Sequence, residues 1–232
     1  MGPLAGADLL SKFLSACIAE IGAQGRDVSD QAFPAHYLAQ WPHPDRTAAL
    51  LAGAPERNRV LASLSQSIGA LQTLGVRTIA IACNTAHAWH RELSARHAGV
   101  ELLHIAEVTA QAASRVDHRP VGLLATEGTY RSGVYGPFFE RQGLACVEPD
   151  GAERALLMEG IYRGVKAGDM GCGKRCLSEV VVRMRSRTGT RKFVLACTEI
   201  PLALAGVPLP DDVMLVDPGV ELGIALARRA YA

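Results

Sequence analysis

Aromatic side chains are scarce in this chain, at 5% of its residues. A core must therefore be built from Ala, Leu, Val and Ile, which suits layered helices and parallel strands better than an aromatic-rich sandwich. Net charge is also lacking: Lys and Arg exceed Asp and Glu by one. Without a basic excess to neutralise phosphates, nucleic acid is not an expected partner. No apolar run is long enough to cross a bilayer. No basic start leads into an apolar stretch, so no secretory signal is read. The expectation is a soluble, cytoplasmic protein without a membrane partner. The six cysteines should then be thiols, each serving as core filler or as chemistry.

Hydrophobic residues make up 49% of the chain, and their spacing alternates between two periods. Leu9, Leu10, Phe13, Leu14, Cys17, Ile18 and Ile21 recur at helical spacing, as do Val60, Leu61, Leu64, Ile68 and Leu71. Residues 78–82, 121–124, 193–196 and 214–216 are short apolar runs without alternation, as in strands buried on both faces. Alternating strands and helices predict an α/β fold with parallel sheets and crossover helices. Two doubly wound units are expected, covering 1–106 plus 209–232, and 107–208. Ligands in such folds sit beyond the carboxyl ends of strands, so a cleft between the units is the expected binding place.

A faint internal echo carries the chemistry. Ile79-Ala80-Ile81-Ala82-Cys83-Asn84-Thr85 and Phe193-Val194-Leu195-Ala196-Cys197-Thr198-Glu199 share one plan: buried strand, small residue, cysteine, polar residues, helical signal. At such a position free N–H groups and the helix dipole favour negative charge, which predicts lowered thiol pKa values at both cysteines. A cysteine at a strand end is usually a small hydrophobe, but the matched pair suggests a thiolate and a thiol working as base and acid on opposite faces of one carbon.

These segments resemble the paired signatures of the aspartate/glutamate racemase family, Cys83-Asn84-Thr85-Ala86-His87 and Ala196-Cys197-Thr198-Glu199. Four more segments are similar to family motifs in the same order. They are Met1-Gly2-Pro3-Leu4-Ala5, Pro44-Asp45-Arg46-Thr47, Leu123-Leu124-Ala125-Thr126-Glu127-Gly128-Thr129, and the run from Gly160 through Lys166 to Gly168. The resemblance implies two similar α/β domains, often in a homodimer, with no pyridoxal phosphate and no metal. It implies that Cys83 and Cys197 are the acid/base pair. Arg46 and Lys166 would hold the side-chain carboxylate of aspartate, or possibly of glutamate. Met1, Asn84, Thr85, Thr126, Thr198 and Glu199 would surround the α-carboxylate, the amine and the thiols.

The family opens with a short apolar strand before Gly-Gly-Met-Gly-Pro, and this chain begins inside that motif. The first strand of the N-terminal domain is thus missing from the sequence as given; Met1 is read first as an internal methionine of a longer chain, and otherwise as the start of a genuine shortened form or of a poorly folding remnant. Other readings are an isomerase or decarboxylase of the same fold, of the maleate isomerase or hydantoin racemase type, and an aspartate-binding protein without turnover. His87 and His90 could share a helix face, but no ligand set of known metal spacing completes them. Cys172-Gly173-Lys174-Arg175-Cys176 does not have the spacing of a zinc motif; Cys176 is assigned to a core face and Cys172 to a loop. Arg183, Arg185 and Arg187 are read as a solvated basic face.

Overall fold

The structure, a computed structural model, describes residues 2–232 and divides them into two compact units, 2–108 with 219–232, and 109–218. Met1, expected at the substrate carboxylate, lies outside the described residues.

The first unit begins with helix α1 (Pro3–Ala23), whose opening proline presets the first helical turn. After a loop come α2 (Arg46–Ala52) and α3 (Ala54–Thr73). Asp45 starts α2 by accepting the Ala48 N–H at 2.8 Å. Strand β1 (Thr78–Ile79) pairs in parallel with β2 (Glu101–Leu102), and between them run a 3₁₀ turn (Thr85–Trp89) and α4 (His90–Arg96). Val60, Leu61, Leu64 and Ile68 of α3 pack with Ile79, Ile81, Cys83, Trp89 and Leu93 into one core. Trp89 is fully buried, and its indole N–H is satisfied by the Arg57 carbonyl at 3.0 Å. The apolar run 78–82 pairs over two residues because its partner is short: past Leu102 the chain turns into α5 (Ile105–Val116).

The second unit is a parallel sheet of four strands, ordered β4-β3-β5-β6. They are β3 (Val121–Ala125), β4 (Cys146–Val147), β5 (Lys192–Ala196) and β6 (Met214–Val216). Helices α6 (Glu127–Ser132), α7 (Gly136–Arg141), α8 (Gly151–Glu159), α9 (Met170–Thr188) and α10 (Glu199–Leu204) connect them. The central strands are buried along their whole length, as their continuous apolar runs predict. Gly122 lets β3 lie close to β5, since a Cβ there would come within 2.5 Å of the Phe193 ring. Helix α11 (Pro218–Tyr231) returns the chain to the first unit. The unit boundary expected at 209 falls instead at 219, because β6 hydrogen-bonds in register with β5.

Polar residues fasten the second unit. Asp150 and Glu153 form a reciprocal capping box at the start of α8. Glu153, 3% exposed, also takes a two-pronged contact from Arg187 of α9. Arg183, Arg185 and Arg187 of α9 are not simply solvated: Arg183 pairs with Glu179 and Arg185 with Asp212. Lys192 is buried at the start of β5, donating to the Ala113 and Asp117 carbonyls and to Asp117 Oδ1 at 2.9 Å.

Candidate active site

In the first unit Cys83 stands four residues beyond β1. The chain turns tightly there, the Cys83 N–H reaching the Ile81 carbonyl at 2.7 Å. The 3₁₀ turn then starts at Thr85, one turn before the α-helical part at His90. Cys83, Asn84, Thr85 and His87 are all buried. His87 Nδ1 lies 2.9 Å from the Cys83 carbonyl and its Nε2 3.3 Å from the Leu103 carbonyl. Burial, the largest influence, lowers the His87 pKa to about 4. The neutral ring has a single N–H, so it donates to one carbonyl at a time. Arg46 opens α2 and donates through Nη1 to the Pro44 carbonyl at 2.9 Å. Helix α2 packs on the turn that follows Cys83, and its Ala49 shares a core with Cys83.

In the second unit Cys197 directly follows β5 and is 5% exposed. Its Sγ donates to Glu199 Oε2 at 3.0 Å, and Thr198 Oγ1 donates to the same oxygen at 2.9 Å. The other oxygen, Oε1, lies 3.9 Å from Lys166 Nζ. Burial and the Glu199 carboxylate push the Cys197 pKa well up, against the lowering influence of Lys166. The sequence predicted the reverse, a thiol acidified by a helix start. That expectation is corrected: α10 has only six residues, and the nearest full charge is a carboxylate.

Thr126 is the residue after Ala125 of β3, just as Cys197 is the residue after Ala196 of β5. Ala125 and Ala196 are register partners, so both side chains leave the same edge of the sheet. Thr126 is buried and caps α6 through the Thr129 N–H. Tyr130 fixes this strand end by accepting the Ala125 N–H and donating to the Leu123 carbonyl.

Lys166 owes its position to glycines. Residues Gly160–Gly164 form a π-helical turn, followed by a 3₁₀ turn (Val165–Ala167) that ends at Gly168 with φ of 85°. A Cβ on Gly164 would meet the Gly173 backbone of α9 at 2.6 Å, so only glycine permits this crossing. The ammonium of Lys166 lies 4.6 Å from the Tyr162 ring centroid, a cation–π contact. Tyr130 and Tyr162 were not singled out from the sequence. Each sits four residues from a candidate, Thr126 or Lys166, and that helical spacing was the available signal.

The candidate residues divide between the units, one candidate cysteine and one candidate cation in each. Cys83, Asn84, Thr85 and Arg46 belong to the first; Cys197, Thr198, Glu199, Lys166 and Thr126 belong to the second. All six cysteines are free thiols. No helix among the described residues is long and apolar enough to cross a membrane.

The sequence pattern of the Asp/Glu/Hydantoin racemases matches residues 1–227. The chain belongs to that family. Over 159 residues it is 26% identical to a glutamate racemase of Synechococcus sp., a match covering 67% of this chain and 57% of the relative. Over 162 residues it is 31% identical to a glutamate racemase of Corynebacterium diphtheriae, covering 68% and 59%. The chain thus matches under three-fifths of the length of these two relatives. In three dimensions it resembles an aspartate racemase of Picrophilus torridus with a TM-score of 0.78 and 24% identity, covering 100% of this chain and 91% of that one. That likeness fixes the fold: mixed α/β with parallel sheets.

Proposed function

We propose that this chain is a racemase of an acidic amino acid, aspartate first and glutamate second, working without pyridoxal phosphate. One thiolate removes the α-proton, and the C–H electron pair passes into the α-carboxylate as an enediolate. The other thiol delivers its proton to the opposite face of the same carbon, so one proton is taken and one returned. The observation that carries this reading is the Cys197–Glu199–Lys166 chain at the end of β5, answered in the other unit by a buried cysteine beyond β1.

Burial and Glu199 raise the Cys197 pKa, which favours Cys197 as the acid in one direction of the reaction; the two thiols exchange roles in the other. Arg46 and Lys166 take the side-chain carboxylate, Arg46 as a planar fork and Lys166 as a point charge. Asn84, Thr85, Thr126 and Thr198 supply neutral donors to the α-carboxylate, where charge develops in the transition state. Glu199 accepts the thiol hydrogen bond and faces the substrate amine. The active form is a homodimer in a reducing cytoplasm, with a small-molecule substrate only.

The test is incubation of reduced protein with L-aspartate in heavy water, without pyridoxal phosphate and with a chelator present. Early in the reaction deuterium should appear in D-aspartate and not in recovered L-aspartate, because the incoming proton comes from the second thiol. Label in the recovered substrate with no inversion would reduce the site to one working thiol. Aspartate binding with no exchange at the α-carbon would make the chain a binder. Light scattering on the purified protein checks the dimer.

A further inference from the structure

Away from Cys83 and Cys197, two other thiols converge in the second unit. Cys172 and Cys176 lie one turn apart on α9, and their Sγ atoms are 3.8 Å apart. Cys172 is not the loop residue expected from the sequence, because Asp169 caps the helix ahead of it by accepting the Cys172 N–H at 2.8 Å. The carboxylate of Glu159, the last residue of α8, meets the two sulfurs, all three ligand atoms lying within 4.8 Å of one another. Among the described residues no other group of three Cys, His, Asp or Glu side chains converges so closely.

We propose that Cys172, Cys176 and Glu159 form a binding site for a thiophilic divalent cation of the zinc type, with water completing a tetrahedron. With zinc–sulfur bonds of about 2.3 Å, a tetrahedral angle sets the two sulfurs about 3.8 Å apart. That is the separation already present. The sulfur-to-oxygen edge would be about 3.6 Å for a zinc–oxygen bond of about 2.1 Å. Glu159 is exposed, so a side-chain rotation closes the remaining gap and leaves the fourth position open to solvent.

The scaffold is preformed. Glu153 and Arg187 tie α8 to α9, and the π-helical turn lies directly on Cys176, where a Cβ on Gly160 would come within 2.9 Å of the Cys176 Cβ. Thiolate ligation requires both thiols to lose their protons, so binding releases protons and tightens with pH. No simple sequence spacing reveals the set, because the third ligand comes from a different helix.

Cobalt(II) is the probe, added to reduced, metal-free protein. One equivalent should give the visible bands of a tetrahedral ion and a sulfur-to-cobalt charge-transfer band, both abolished by zinc. The Cys83→Ser/Cys197→Ser double variant should keep the spectrum, and Cys172→Ser should lose it. Glu159→Gln changes an exposed residue and so retains the fold; it should weaken binding about tenfold, equivalent to about 1.4 kcal/mol. The proposal is overturned if no stoichiometric spectrum forms, if the spectrum follows Cys83 and Cys197, or if Glu159→Gln binds cobalt as tightly as the parent.

Discussion

The thiol of Cys197 donates a hydrogen bond to the Glu199 carboxylate over 3.0 Å, and the same carboxylate faces Lys166. Glu199→Gln keeps a polar neighbour but removes the negative charge, so the Cys197 pKa should fall toward the ordinary thiol range. A thiolate absorbance titration reads this directly. The pH at which Cys197 stops serving as an acid should fall with it.

Lys166→Met should act on binding and on acidity together. Losing a charged hydrogen-bond donor to the substrate should raise the KM for aspartate by about 1.5–3 kcal/mol in free-energy terms. Because Lys166 lowers the Cys197 pKa, its removal should also move the thiol titration to higher pH. Steady-state kinetics against pH separates the two effects.

Serine at either cysteine should cut racemisation by about 10²–10⁴-fold, the usual worth of a positioned acid or base. Retention of parent rates by both Cys83→Ser and Cys197→Ser, measured by polarimetry, would sink the two-thiol mechanism.

Gly164→Ala should destabilise the fold by about 1–3 kcal/mol, the common cost of overpacking, because the new Cβ meets the Gly173 backbone. Thermal unfolding measures that loss. If the π-helical turn aims Lys166, the same variant should raise KM more than it changes kcat.

Acid should act in two stages. His87 is buried, with its pKa lowered to about 4, so between about pH 6.5 and 4 the unfolded chain binds a proton that the folded chain refuses. Stability from this group is present above the unfolded value and declines as pH falls, by about 3 kcal/mol across the window. Asp117 acts lower: Arg119 and then Lys192 hold its carboxyl well below the usual range, so its contribution is lost only below about pH 4. Urea unfolding against pH should show both limbs, and His87→Gln should flatten the upper one alone.

Continuous apolar runs made β3 and β5 legible, and the cysteine echo placed Cys197 at a strand end, whereas Cys83 stands four residues beyond β1. What escaped depends on distant partners. The run 78–82 is apolar from Ile79 to Ala82, but pairing stops where β2 ends. β2 itself, two residues long, carries no pattern. The sheet membership of β6 is decided by its ladder with β5 and not by its composition. The π-helical turn at Gly160–Gly164 has no periodicity of its own; the close approach of Gly173 reveals why those glycines are needed. The upward shift at Cys197 comes first from burial and then from where the Glu199 side chain points, and no spacing rule encodes either.

The shared register of β3 and β5 makes the site a matter of counting. Side chains alternate faces along a strand, so adding or deleting one residue within 192–196 would shift Cys197 out of register with Thr126. Substitutions of similar volume along these strands leave that phase intact. Lineages carrying this chemistry should therefore drift freely in the identity of the buried strand residues and hold the number of them constant.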